Sequence, residues 1–161
     1  MFQEKLLQVY LGCFQDQVYA VRARAIASIG ALLSATSEAW ALAHILPKLV
    51  ELYNERDNTY LQRITALQGM REVALACSSG EAMAVVLPVL ERAAGDDVPN
   101  VRAVCAHFLG DVAAAAAARD LLSSAQLQGV VVPVLGRLAE DAADQEVRFA
   151  AGHSLKRCPQ L

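Results

Sequence analysis

The chain is short of lysine and of aromatic rings. Its lysines are Lys5, Lys48 and Lys156, and 6% of its 161 residues are aromatic. The remaining basic residues are arginines that arrive singly along the chain, and the net charge is -3. A protein that grips a duplex clusters its cations on one face, so nucleic acid is not expected as the main partner. No uncharged run reaches the roughly 20 apolar residues of a membrane span, and no charged-then-apolar leader opens the sequence. A soluble, intracellular chain is expected, in the cytoplasm, with the nucleus also open to it. Cysteine is sparse too: Cys13, Cys77, Cys105 and Cys158 lie 64, 28 and 53 residues apart. That spacing fits neither a C-x-x-C zinc site nor a thiol-disulfide motif. Cys77 and Cys105 fall in apolar stretches, where a reduced cysteine behaves as a small hydrophobe.

Catalytic signatures are also missing. There is no glycine-rich phosphate loop, no G-x-S-x-G elbow and no H-E-x-x-H pair. His44, His107 and His153 are followed by Ile45, Phe108 and Ser154, so the paired His-Glu pattern of a di-iron repeat hydroxylase does not occur. No metal, cofactor or catalytic residue is expected, and the chain is read as a non-enzyme. Nor does any stretch alternate apolar and polar residues between turn signals, which excludes a sheet.

What the sequence does hold is a repeat. An apolar run into proline, a polar turn and an arginine recur from Pro47 to Arg63, Pro88 to Arg102 and Pro133 to Arg148, spans of 16, 14 and 15 residues. A fourth copy, without the proline, opens the chain at Asp16 to Arg22. Successive arginines fall 41, 39 and 46 residues apart. A period near 40 built from two helices is the mark of HEAT or armadillo solenoids. The fold class is therefore all-α, an α-α superhelix of about four antiparallel helix pairs. It forms a single array with repeats at about 1–36, 37–78, 79–119 and 120–161.

Local signals place the helices. Asp16 precedes one from Val18 to about Ala35, and another runs from Glu38 to Asn54 with Pro47 inside it, where a bend is expected. Others span Thr59 to about Cys77, Gly80 to Ala94 around Pro88, and Pro99 to about Ala118. The last pair starts near Ser123 or Ser124, bends at Pro133, and ends with Glu146 to about Arg157. Phe2, Leu6 and Tyr10 form an apolar flank with no polar cap, although arrays need capped ends. The chain is accordingly expected to be a fragment of a longer array, the other option being self-association through that flank.

The turns between paired helices would line one edge of a solenoid. Their acids and amides, with Arg22, Arg63, Arg102 and Arg148, read either as helix caps and a structural ladder or as contacts. Tyr19, Tyr60 and the Val98-Pro99 tip put aromatic or apolar surface where interface hot spots draw it.

Asp16-Gln17-Val18-Tyr19-Ala20-Val21-Arg22, Glu38-Ala39-Trp40-Ala41, Tyr60-Leu61-Gln62-Arg63 and Val98-Pro99-Asn100-Val101-Arg102 resemble the final HEAT repeats of the scaffolding A subunit of protein phosphatase type 2A. The likeness runs from about Phe2 to Leu155, with extra residues at 113–119 and 141–144. Cys13 stands where that family has a tryptophan. The resemblance implies a non-catalytic scaffold whose intra-repeat turns hold the phosphatase catalytic subunit through Tyr19, Arg22, Tyr60, Arg63, Val98, Pro99 and Asn100. The regulatory B subunit would bind only repeats outside this chain. The alternative is another HEAT-type adaptor taking a protein or peptide on its concave face.

Overall fold

The computed structural model describes residues 2–116 and 118–159, with side chains from residue 5 onward. Every regular element among the described residues is helical, and none is a strand. The chain divides into two compact units, Met1–Ala76 and Cys77–Leu161.

In the first unit α1 (Phe2–Gly12) and a 3-10 turn (Cys13–Gln15) lead into α2 (Tyr19–Ala27) and α3 (Ile29–Ala35). After these come α4 (Glu38–His44), α5 (Leu46–Asn54) and α6 (Tyr60–Ala76). Helix α6 is the spine, packing against α2, α3, α4, α5 and the 3-10 turn. Its Ala66, Leu67, Met70 and Val73 are buried, as are Ile29 of α3 and Leu46 and Leu49 of α5. The packing is close at Gly69, where a Cβ would lie 2.8 Å from the flexible tip of Leu49, its Cδ2.

The helix expected from Val18 to Ala35 is broken at Ser28 (φ -87°, ψ -6°). The Ser28 hydroxyl donates to the Ala25 carbonyl at 2.8 Å and to Tyr10 Oη at 3.2 Å. Such back-bonding by serine competes with the helical ladder and bends it. The helix expected from Glu38 to Asn54, bent at an internal Pro47, is instead broken at Ile45, which separates α4 from α5. This leaves Pro47 in the first turn of α5, where proline's missing N–H costs nothing.

The second unit comprises α7 (Glu81–Ala93), α8 (Pro99–Ala116), α9 (Ser124–Gln126), a π-helical turn (Leu127–Val131), α10 (Val132–Ala139) and α11 (Gln145–Arg157). Here α8 is the spine, against α7, α10, the π turn and above all α11. Phe108, Leu109 and Val112 are buried with Met83, Leu90, Leu135 and Val147. Helix α7 runs unbroken through Pro88, whereas Pro133 follows a π turn. That wider turn relieves the clash a proline ring makes with the preceding turn. Ser123 starts α9 with a full capping box with Gln126.

The alanine tract carries α8 to Ala116; Ala117 lies outside the described residues, and Ala118 already belongs to a turn. The backbone turns on the Ala115 and Arg119 carbonyls, which brings Leu121 and Leu122 inside. Burial of two leucines outweighs the helix propensity of one or two further alanines.

Candidate protein-binding turns

Each paired-helix turn is built the same way, beginning with its arginine. One turn into the second helix, the guanidinium folds back and its Nη1 donates to loop carbonyls. Arg22 reaches Asp16 O at 2.7 Å and Gln17 O at 3.1 Å. Arg63 reaches Asn58 O at 3.4 Å and its Oδ1 at 3.3 Å. Arg102 reaches Asp96 O at 2.7 Å and Asp97 O at 3.3 Å, and Arg148 reaches Asp141 O at 2.6 Å. The expected ladder of arginines on neighbouring acids is thus chiefly a clip within each turn: carbonyls of a tight loop have no ladder partner and take a charged donor instead.

Arg102 adds a second link. Its Nε donates to Asp141 Oδ2 at 2.7 Å and its Nη2 to Asp141 Oδ1 at 3.2 Å, joining turn three to turn four. Asp141 Oδ1 also accepts from Ala143 N and Asp144 N, at 3.0 and 2.9 Å. The Arg102 hydrogen bonds hold the Asp141 carboxyl below the usual carboxylate range, with the two backbone donors adding to them.

The polar turn residues divide their work differently from the expected capping. Asp144 caps α11 through Val147 N at 3.0 Å. Asp16 and Asp96 instead accept from Val18 N and Val98 N, two residues on, at 2.7 and 2.9 Å. Asn58 ties back to the preceding helix, donating to Leu52 O and Tyr53 O. Thr59 starts α6: its hydroxyl accepts from Gln62 N while Gln62 Oε1 accepts from Thr59 N, a reciprocal cap.

These clips leave apolar groups outside. Tyr19 is 68% exposed beside Val18, and Tyr60 is 41% exposed beside Leu61. Each tyrosine is the first residue of its helix and lies three residues before the clip arginine. The Arg22 guanidinium carbon sits 5.7 Å from the centre of the Tyr19 ring, a cation–π pair. Arg22 itself is buried, with its Nε making no hydrogen bond. Val98 and Pro99 are half-buried and Asn100 is exposed, so turn three offers less apolar surface than the first two. Tyr19 and Tyr60 come from equivalent places in the first unit, whereas Val98, Pro99 and Asn100 occupy that place in the second.

Two apolar surfaces lie outside the expected turn residues, and the second of them is the N-terminal flank expected to be open. On α11, Phe149 is 74% exposed and stacks on His153, ring centres 6.5 Å apart and planes 5° from parallel. Its register against the buried Val147, Ala150, Ala151 and Ser154 places it off the core face, and a helical projection finds it. On the N-terminal flank Leu6 and Val9 are exposed and border a cavity of about 740 Å³ reaching Leu32 and Trp40. The Phe2 side chain lies outside the described residues. Tyr10, expected on that open flank, is half-buried, its hydroxyl donating to Ala25 O at 2.8 Å.

Among the described residues, no group of three His, Cys, Asp or Glu is arranged to hold a metal ion, and no helix is long and apolar enough to cross a membrane. Comparison with protein-family models and with curated proteins gives no match to this chain.

Proposed function

We propose that the chain is a segment of a HEAT-type superhelix and a non-catalytic scaffold, holding the catalytic subunit of a serine/threonine phosphatase by its intra-pair turns. The observation that carries this reading is the equivalence of Tyr19 and Tyr60. Two large aromatics start their helices at the same step of the repeat, on turns clipped by Arg22 and Arg63, and both stay exposed. Rings on clipped turns lose little conformational entropy on binding, the property that suits tyrosine to interface anchors. Val98, Pro99 and Asn100 provide the corresponding contact from the second unit. Arg22 and Arg63 act mainly as positioning residues, since their Nη1 groups are spent on loop carbonyls. The Leu6 and Val9 face is left to a preceding repeat or a second copy, and a regulatory subunit would bind repeats beyond this chain.

The test is capture of the phosphatase catalytic subunit by the intact chain and by the Tyr60→Ala, Val98→Asp double variant. Val98 precedes the first residue of α8, where aspartate is a favourable cap, and Tyr60 is exposed, so the helical circular dichroism should not change. Capture is expected to be lost. Retained capture at unchanged helicity would overturn the reading.

A further inference from the structure

We propose that the N-terminal flank of the first unit binds a long-chain carboxylate, its hydrocarbon lying along α1 and its head on Arg24. The site is separate from the turns used in the phosphatase reading and stands or falls without them. Two hollows meet on this flank. A cavity of about 740 Å³ is walled by Leu6, Leu7 and Val9 of α1, Leu32 of α3 and Trp40 of α4. A second, of about 460 Å³, lies between α1 and α2, where Val21 and Arg24 line it. Tyr10 and Cys13 border both, so the two form one groove. Val21, Arg24, Ser28, Leu32 and Ala35 follow at three- and four-residue steps, which puts them on one face. From Arg24 to Ala35 that face runs about 16 Å at the helical rise.

The lining selects the occupant. The larger hollow carries no charged side chain, and its volume falls within the roughly 300–1,000 Å³ of small-molecule sites. Its polar groups are already engaged inside the fold. The Cys13 thiol donates to Val9 O, the Thr36 hydroxyl to Leu32 O and the Tyr10 hydroxyl to Ala25 O, while Ser37 Oγ accepts from Trp40 N. An extended peptide would leave its backbone groups without partners against such a wall, whereas a hydrocarbon has none to satisfy.

The smaller hollow has one charged residue, Arg24. It is exposed, and its guanidinium makes no hydrogen bond or ion pair among the described residues. One cation at one end of an otherwise uncharged apolar groove is the complement of a fatty-acid anion, which has one charge at one end of an apolar body. The guanidinium fork also suits a carboxylate, as Arg102 shows with Asp141. A preceding repeat or a second copy would cover the same flank and exclude the ligand, so the test must tell these occupants apart.

Trp40 is the chain's sole tryptophan and lines the cavity, so its fluorescence reports occupancy. The intact chain is titrated at neutral pH with octanoate, decanoate and dodecanoate, each below its micelle concentration, and with dodecanol. A saturable blue shift at one ligand per chain is expected. Affinity should rise about two- to threefold per methylene, short of the roughly fourfold of complete burial because Leu6 and Val9 leave one side open to solvent. Arg24→Gln should weaken dodecanoate about threefold and leave dodecanol unchanged, and Lys5→Gln should alter neither. Leu6→Gln should weaken both about threefold. Leu6, Arg24 and Lys5 are exposed, so these variants keep the fold, which circular dichroism verifies. Sedimentation at the same concentrations should find single chains with and without ligand. Absence of a saturable shift, affinity independent of chain length, or dodecanoate binding unchanged in Arg24→Gln would overturn the proposal. A dimer that excludes the ligand would also overturn it, giving the flank to a second copy.

Discussion

The Arg102–Asp141 pair is the link on which the second unit's turns depend most, and its strength can be measured. Both side chains are about one-tenth exposed, 11% and 10%, so the pair is shielded enough to matter and close enough to solvent to form without a prohibitive desolvation cost. Asp141→Ala removes the bidentate contact, leaves a guanidinium short of its carboxylate, and frees the amides of Ala143 and Asp144. Removing one partner of such a pair should destabilise the protein by about 3 kcal/mol. Asp141→Asn keeps an oxygen for the two amides but loses the charge, and should cost about 2 kcal/mol. Arg102→Met retains the stem and removes both the pair and the clip on Asp96 and Asp97. A double-mutant cycle then isolates the pair, with an expected coupling of about 2 kcal/mol at pH 7.

The pH dependence separates charge from packing. The native Asp141 carboxyl titrates below its unfolded value, so its contribution is fully present above about pH 5. It is lost as pH falls through the unfolded value near 3.9 towards the lower native one. Urea denaturation of the wild type and of Asp141→Asn should therefore differ by a constant amount from pH 5 to 8 and converge below pH 4. A coupling under about 0.5 kcal/mol, or a difference that persists unchanged at pH 3, would refute the argument that this charge locks turn three to turn four.

Two further expectations test the packing. A Cβ on Gly110 would lie 2.4 Å from Ser154 Oγ, 2.5 Å from its Cβ and 3.0 Å from its Cα, backbone that cannot yield, so Gly110→Ala should lower stability by about 2 kcal/mol or more. Gly69→Ala meets only the tip of Leu49, and thermal denaturation should show a change within about 1 kcal/mol, because the alanine also improves helix propensity. Equal losses at the two glycines would contradict the distinction between a yielding and a rigid neighbour. Cys105 is buried, its thiol donates to Leu90 O at 3.2 Å, and burial pushes it up to about 12, so alkylation at pH 8 followed by peptide mass analysis should find it unmodified until the chain unfolds. Modification of Cys105 in step with the half-buried Cys13 and Cys158 would refute that burial.

Helix locations were largely legible in the sequence because their signals are local. Capping residues, prolines and three-to-four-residue apolar spacing act within one turn of chain, and Thr59, Ser123 and Asp144 perform the capping their types favour. The break at Ser28 was not legible. It depends on Tyr10, 18 residues away, whose hydroxyl accepts from Ser28 and donates to Ala25. The π turn before Pro133 was hidden for a different reason: a proline says that a bond is missing, not whether the chain kinks, widens or simply continues, as it does at Pro88.

The candidate site follows the same division. Tyr19 and Tyr60 were visible because their register against the repeated arginine leaves them off the core face. What the spacing could not supply was the direction of the arginine itself. A guanidinium at that position can reach outward to a partner, across to the next turn, or back to its own loop, and all three are compatible with one letter in the sequence. The loop decides, because a tight turn after a helix end presents two or three carbonyls with no amide to receive, and an Nη1 one helical turn away is the nearest donor. Arg102 reaches both its own loop and Asp141 only because the fourth turn supplies a carboxylate 39 residues later. The added residues of that turn, which weaken its likeness to the other three, therefore leave the Arg148 clip intact and place Asp141 to accept from Arg102. In turn four the sequence departs from the repeat while the arginine clip, the repeat's structural element, is conserved.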